Sequence, residues 1–574
     1  FLLELTDALF EDDENSVAVR VDVDQVEGYW YEGAGIYRNV NLLVADEVYA
    51  KPYETVVKAD IQGNVTASAI LVNDSAFDRT LPVSWAVLDG DTKVAEYTEE
   101  IRLPAYTETP VSAKMQVKNP KLWDLEHPNL YTLELTAAET HKEVFGFREF
   151  TFDGTNGFYI NGKNVKIKGA CAQQDFAGVG IGLSDNLIRY KLGKIKEMGC
   201  NAFRVHYAHS PDLLRACDEM GILVMAETRM FGPFPEALRQ FEDLVRRDRN
   251  HPSIFIWCVG NEETYLQHSE QAKRMAEKVV RAVRRLDDTR TFTYAGNDGS
   301  AFDGINAGVE VKGINYIRNM DVDGYHAEHP SDPILGTEEG CYVSDRMSLA
   351  TDLSNQSILS NGTVTMGWAS TPKGWVKYVM ERPWFSGAFL WTAFDFHGEA
   401  HPFVHSAFST YMGSIDLAGM EKPAFYYYKA WFTDEPVLKI TPHWNGKAGQ
   451  KATVTVFTNC EHITLKLNGQ VIGDCDVAKF DAPEFTLDFM PGILEAEGIR
   501  NGVKYTDSVA TAGAPAIITQ SLILPCESQA DIGIIEIAAV DENGNVCADC
   551  ARKVDLAFTG GDILGVGNGN PMDD

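Results

Sequence analysis

No uninterrupted apolar run in the 574 residues approaches the ~20 that a membrane-spanning helix needs. The densest stretch, Phe385–Leu390, is interrupted by Ser386 and Gly387. Nothing here is expected to span a bilayer as a helix. Basic residues are scarce as well: 50 Lys+Arg face 83 Asp+Glu, for a net charge of −33. Such a field repels nucleic acid and anionic membrane surfaces and leaves neutral or cationic partners. Cysteine pairs are nearly absent. Ten cysteines are scattered singly except for Cys547-Ala548-Asp549-Cys550, and one CxxC without a second pair is a weak zinc or redox signal. The opening Phe1-Leu2-Leu3-Glu4-Leu5 lacks a Met and a basic flank, so it reads as the interior of a domain rather than a signal peptide, with the natural N-terminus missing. Low-complexity tracts and helical repeats are lacking too, which removes a solenoid.

What is present is an average globular composition, 45% hydrophobic and 23% charged, on a chain too long for one core, since single cores stop growing near ~250–300 residues. Residues 1–150 alternate apolar and polar, as in Val17-Ala18-Val19-Arg20-Val21-Asp22-Val23, the signature of antiparallel strands. From about residue 160 the rhythm changes to short apolar strands separated by helical segments. The strands expected are Val165–Ala170, Ala202–His206, Ile222–Glu227, Ile254–Gly260, Thr291–Tyr294, Gly313–Ile317, Ile334–Glu338 and Gly387–Asp395. Eight strands suggest a closed barrel of the (β/α)₈ type, for which ~250 residues is typical. Helices are expected over Asn186–Met198, Pro211–Met220, Glu236–Arg249 and Gln271–Leu286, each with apolar residues at i, i+3 and i+4. After Trp431 the alternation returns, with an Asn468-Gly469 turn between strands.

In such barrels the active site forms at the C-terminal ends of the strands. The fourth strand ends in Asn261-Glu262-Glu263 and the seventh in Glu338-Glu339. Carboxylates from opposite sides of the axis could face a sugar between them. Two carboxyl groups ~5–5.5 Å apart suit a retaining glycosidase, one attacking the anomeric carbon while the other protonates the leaving oxygen. A glutamate at a strand end can equally cap a helix or pair with Arg, and spacing does not choose within either adjacent pair.

Asn261-Glu262 after a Trp257-containing strand, Thr337-Glu338, and Trp391-Thr392-Ala393-Phe394-Asp395 resemble glycoside hydrolase family 2, closest to its bacterial β-galactosidases. The likeness extends over most of the chain, through Tyr31-Glu32-Gly33-Ala34-Gly35-Ile36-Tyr37-Arg38, Leu122-Trp123-Asp124, Phe145-Gly146-Phe147-Arg148, Arg246-Arg247-Asp248-Arg249-Asn250-His251-Pro252 and Tyr426-Tyr427-Tyr428-Lys429-Ala430-Trp431. It implies a multidomain fold, a central TIM barrel flanked by all-β sandwiches. These would be a jelly-roll of the sugar-binding type, incomplete at its start, over 1–52; immunoglobulin-like sandwiches over 53–150, 434–512 and 513–574, the last incomplete; and the barrel over 151–433.

The resemblance further implies Glu262 as general acid/base, Glu338 as nucleophile, Asn261 on the sugar 2-hydroxyl, Tyr316 steadying the nucleophile and Trp391 as an aromatic floor. Asp175, Arg204, His206 and Glu227 would complete the pocket. The chain departs from the family pattern at Gln173-Gln174-Asp175, where a histidine is common, and at Ala226, where an aspartate is usual. Some relatives hold Mg²⁺ through a Glu and a His after the third strand; Thr228-Arg229-Met230-Phe231-Gly232 offers neither, so no metal and no cofactor is expected. The implied activity is retaining exo-hydrolysis of terminal β-linked sugars, foremost β-galactosides. A β-glucuronidase or β-galacturonidase is the alternative, weakened because no Asn-x-Lys-Gly motif occurs and Ile415-Asp416-Leu417-Ala418-Gly419 occupies that neighbourhood. A non-catalytic carbohydrate-binding protein is the third reading. The expected partner is a carbohydrate, not nucleic acid or membrane. Self-association into a homo-oligomer stays open, as does the compartment, cytoplasm or periplasm of a bacterium.

Overall fold

The computed structural model describes residues 2–10, 14–23, 33–298, 302–361, 364–403 and 407–572. Among those before Val48 there is one short turn, Thr6–Ala8, and no strand. The alternating segment Val17–Val23, expected as a strand, is therefore not one: Val17, Val19, Val21 and Val23 all stand exposed. Alternation makes a strand only where a second strand takes up its backbone groups, and no described residue does so here. Of the Tyr31–Arg38 motif, Tyr31 and Glu32 lie outside the described residues; its Arg38 guanidinium donates to Gln174 Oε1 at 2.7 Å and the Ala208 carbonyl at 2.9 Å.

Two antiparallel sheets then face each other. One contains Val48–Ala50, Val56–Ala59, Asn64–Asn73 and Thr107–Gln116; the other contains Arg79–Asp89, Thr92–Leu103, Tyr131–Thr136 and Thr140–Phe145. Along Asn64–Asn73 every second residue from Val65 to Leu71 points inward, the period-2 pattern of a half-buried strand. These residues meet Trp85, Val87, Leu133, Leu135 and Phe147 in one core. The Arg249-Asn250 stretch ties this sandwich to the barrel. Asn250 Nδ2 donates to the Thr55 carbonyl at 2.9 Å while its Oδ1 accepts from the Val57 N–H at 3.0 Å. From the other side, Trp123 Nε1 donates to the buried Asp218 carbonyl at 2.8 Å.

The barrel closes from eight parallel strands: β1 (Ile167–Cys171), β2 (Ala202–Arg204), β3 (Leu223–Glu227), β4 (Ile254–Asn261), β5 (Thr291–Gly296), β6 (Val311–Asn315), β7 (Ile334–Glu339) and β8 (Phe385–Leu390). Pairing of Ile167 with Gly387 and of Ala170 with Leu390 shuts the ring. Gly169 has to be glycine, because a Cβ there would lie 2.2 Å from the Phe389 ring that fills the interior. All residues of β3 and β7 are buried, as strands covered on both faces require. The surrounding helices are α1 (Asp185–Glu197), α2 (Pro211–Met220), α3 (Pro235–Asp248), α4 (Glu270–Val283), the short α5 (Gly304–Ala307) and α6 (Val322–Glu328), α7 (Pro372–Met380) and α8 (Pro423–Phe432). The start of α2 illustrates the local logic: Ser210 Oγ accepts the Leu213 N–H, Pro211 supplies a preset φ where no N–H is needed, and Gly221 ends the helix at φ +67°.

Beyond α8, the sheets Leu438–Thr441/Lys451–Thr458/Glu484–Asp488 and Gln470–Asp476/His462–Leu467/Ile493–Arg500/Val503–Ala510 enclose Trp444, Val454, Ile463 and Leu494. Asn468 and Gly469, at φ +51° and +79°, form the tight hairpin their sequence suggests. Ile517–Leu524 and Ile534–Val540 make a two-stranded sheet, with no strand among the described residues that follow.

Candidate active site

Four strand ends converge on one guanidinium. Arg204, the last residue of β2 and fully buried, donates through Nη1 to Glu338 Oε1 at 2.8 Å and to the Thr337 carbonyl at 3.0 Å on β7. Its Nε donates to Glu227 Oε2 of β3 at 2.9 Å, and its Nη2 to Asn261 Oδ1 of β4 at 2.7 Å. A planar fork is suited to this role, because it spends several donors in fixed directions without deprotonating. Although burial pushes the Glu227 carboxyl upward, the Arg204 charge, with help from His206, holds it down at about 2. His206 sits between two carboxylates, with Nδ1 3.3 Å from Glu227 and Nε2 3.4 Å from Glu338.

The members of each adjacent glutamate pair part company. Glu338 faces Arg204 and receives the Tyr316 hydroxyl on Oε2 at 3.0 Å. Glu339 points elsewhere: its Oε1 accepts the Ile317 N–H at 2.8 Å, Oε2 is buried without a hydrogen bond, and burial raises its carboxyl pKa well above the usual carboxylate range. On β4 the pairing register slips between Cys258 and Asn261, and Glu262 follows in the left-handed region at φ +49°. That turn brings its Oε1 to Asn315 Nδ2, 2.7 Å away. Enclosure first, and the nearby Glu338 charge second, push the Glu262 carboxyl up to about 8. Glu263 belongs to a different neighbourhood, its N–H donating to the Tyr294 hydroxyl at 2.7 Å and its carboxyl near Arg229.

Trp391, just past β8, lies with its ring centroid 5.0 Å from that of His206. Arg204, His206, Glu227, Asn261, Glu262, Tyr316, Glu338 and Trp391 are thus brought together. Asp175 is buried at the edge of the group: its Oδ2 accepts the His397 N–H at 2.8 Å, while Oδ1 has no hydrogen bond within the protein. Sequence reasoning missed Asn315, which donates to both Glu262 and Asn261 and is itself fixed by the Thr337 hydroxyl at 2.6 Å. Its signal was a polar residue at the end of β6, overlooked beside the more conspicuous Tyr316. A separate cavity of about 420 Å³ under Arg38, Gln173 and His209, against α1 and α2, includes neither Glu262 nor Glu338. The stretch after β3 brings Thr228 and a cation, Arg229, a donor set that does not fit Mg²⁺.

A barrel of eight parallel strands with its carboxylates gathered at the strand ends, joined to all-β domains, is the architecture of a multidomain glycoside hydrolase. The model for the TIM barrel domain of glycosyl hydrolases family 2 matches residues 154–234 and 233–345, that for glycosyl hydrolases family 2 matches 51–148, and a domain of unknown function matches 449–506. A β-galactosidase of Bacteroides ovatus, BoGH2A, is 30% identical over all of this chain and 76% of its own length. A β-glucuronidase of Formosa agariphila is 26% identical over the whole chain, which spans 63% of that protein. The crystal structure of a family 2 member from Bacteroides cellulosilyticus superposes with a TM-score of 0.79 at 26% identity, covering 92% of this chain and 72% of that one. The chain belongs to glycoside hydrolase family 2.

Proposed function

We propose that the protein is a retaining exo-β-glycosidase acting on terminal β-galactosides, with Glu338 as nucleophile and Glu262 as acid/base. The observation that carries this is the asymmetry between the two carboxyls. Glu338 accepts from the Arg204 guanidinium and the Tyr316 hydroxyl, whereas Glu262 meets an amide and is pushed up to about 8. An anion beside a neutral acid is what the first step requires. The Glu338 carboxylate attacks the anomeric carbon as the bond to the leaving oxygen breaks, and Glu262 gives that oxygen its proton. In the second step Glu262, now a carboxylate, takes a proton from water as the water oxygen bonds the anomeric carbon and Glu338 departs. Two inversions return the β-configuration. Asn261, fixed by Arg204, would meet the sugar 2-hydroxyl, and Trp391 would lie under the ring, with His206, Glu227 and Asp175 around it.

The relatives include both β-galactosidases and β-glucuronidases, so a β-glucuronidase is the second reading. A panel of aryl β-glycosides differing only in the sugar separates the two. Turnover of the galactoside above all others, with the β-anomer as first product, is expected; preferential release from the glucuronide, or an α-anomeric first product, overturns the proposal.

A further inference from the structure

The direction of each hydrogen bond in the site can be followed outward from Arg204, which only donates. Because its Nη2 donates to Asn261 at 2.7 Å, the atom that Asn261 presents there is its carbonyl oxygen. Asn315 meets the same oxygen at 3.2 Å, so it must turn its amide nitrogen that way. Its own carbonyl oxygen is left on the far side, where the Thr337 hydroxyl donates to it at 2.6 Å. The amide nitrogen also reaches Glu262 Oε1 at 2.7 Å. Reversing this amide would set its oxygen against the Asn261 oxygen and the Glu262 carboxyl together.

Asn315 and Thr337 are both fully buried, so water cannot substitute for either partner. The ladder between β6 and β7 slips at Asn315, which pairs with Glu338 where an even register would give Thr337. The slip puts the Asn315 backbone beside that of the nucleophile while its side chain serves the acid/base.

We propose that Asn315, held by Thr337, is a positioning residue that keeps Glu262 Oε1 an acceptor throughout the reaction and so reserves Oε2 for the proton given to the leaving oxygen and later taken from water. The inference rests on the reading of Glu262 as the acid/base. In the first step the bond between Oε2 and hydrogen breaks and the leaving oxygen takes the proton. The electron pair stays on the carboxylate, whose charge on Oε1 meets an N–H already aimed at it. In the second step a proton of the attacking water joins Oε2 and the starting pattern returns. A donor fixed in advance needs no reorganisation when the charge develops. It also favours the ionised carboxyl, opposing the burial and the Glu338 charge that raise it.

The test uses Asn315→Ala, Thr337→Val, which keeps the shape and loses the hydroxyl, and Thr337→Ser, which keeps the hydroxyl. The substrates are the phenyl and 2,4-dinitrophenyl glycosides of the sugar that the wild type hydrolyses fastest, since the poor leaving group needs the proton and the good one does not. In Asn315→Ala, kcat/KM for the phenyl glycoside is expected to fall about ten- to a hundredfold, the effect of one hydrogen bond to a charged group, and that for the dinitrophenyl glycoside roughly threefold or less. Thr337→Val should show the same split, and Thr337→Ser should restore the wild-type ratio. The basic limb of kcat/KM should move to higher pH in Asn315→Ala, because a donor to the ionised form is gone. Glu338, Arg204 and Glu227 act on the Glu262 charge, and Glu399, Tyr294 and Tyr316 feel it; none is altered in these variants. Equal losses on the two glycosides, with the limb unmoved, would mean that Asn315 only supports the barrel, and would overturn the inference while leaving the reacting pair intact. If Asn315→Ala does not fold, Thr337→Val decides by the same comparison. Absence of any aryl glycoside turnover, with no labelling of Glu338 by a 2-deoxy-2-fluoro glycoside, removes the reading of the pair and this inference with it.

Discussion

Tyr316 grips Glu338 twice: its hydroxyl donates to Oε2 at 3.0 Å, and its own backbone N–H donates to the Glu338 carbonyl at 2.8 Å. The second bond fixes where the phenol starts from, and the left-handed backbone of Tyr316, at φ +63°, turns the ring back over the carboxylate. Burial and the Glu338 charge both raise the phenol's pKa, so it stays a donor across the working range. Replacing Tyr316 by Phe keeps the ring and the backbone bond but removes one hydrogen bond to a charged acceptor. Such bonds contribute about 1.5–3 kcal/mol, so kcat should fall roughly ten- to a hundredfold. Steady-state kinetics checks this; a Phe variant within twofold of wild type would show that the hydroxyl does not steady the nucleophile.

The two glutamates should fail differently. Glu338→Gln is expected to abolish turnover of every substrate, since solvent cannot replace the nucleophile in the first step. Glu262→Gln should still form the glycosyl-enzyme from aryl glycosides with stable leaving groups, then stall, because acid/base help contributes ~10²–10⁴-fold to a step. Azide, which needs no base, should restart it and yield the β-glycosyl azide, identified by NMR of the product. An α-azide from this variant would mean the roles are exchanged.

Activity should decline on the alkaline side as Glu262, at about 8, gives up the proton it must deliver. A pH profile of kcat/KM is expected to show its basic limb near that value. In Glu338→Gln the Glu262 carboxyl loses the like charge that helps to raise it, so its pKa, followed by NMR of labelled glutamate, should move down.

Stability should follow the same proton. Between its ordinary 4.5 and about 8, Glu262 holds a proton in the folded chain that it has lost in the unfolded one. Wherever the native state binds more protons, stability falls as pH rises. Glu262 therefore lowers stability progressively from pH 4.5 to about 8. Glu262→Gln, which has no proton to lose, should melt at a temperature less dependent on pH across that window. An equal slope in both proteins would contradict the assignment.

Asn250→Ala should loosen the joint between sandwich and barrel. It removes a donor to Thr55 and an acceptor from Val57, and each buried group left unpaired costs about 1–3 kcal/mol. A loss of about 2–6 kcal/mol on that basis would appear as an earlier melting transition, with kcat nearly unchanged because the residue precedes β4, at the end of the barrel opposite Glu338.

Much of the barrel could be read from the amino acids, since strands buried on both faces are short apolar runs and their helices are amphipathic. The match is close at β4, expected as Ile254–Gly260 and found as Ile254–Asn261. What failed was Val17–Val23, because alternation describes a strand's faces and says nothing of whether a partner lies beside it. At the site, residue types and order pointed to both glutamate pairs, but the choice of Glu262 over Glu263 depends on a register slip in β4 and one left-handed residue. Neither has a local sequence signal. Asn315 escaped for a related reason, since its importance comes from Glu262 and Asn261, which it meets at another strand's end.

Arg204 also makes hydrolysis a clock for folding. Its contacts with Glu227, Asn261, Thr337 and Glu338 cannot coexist until β2, β3, β4 and β7 have all reached their final places. A half-assembled barrel, however compact and however rich in helix, would therefore be silent in an activity assay. During refolding the enzyme should regain its helical signal first and its turnover last.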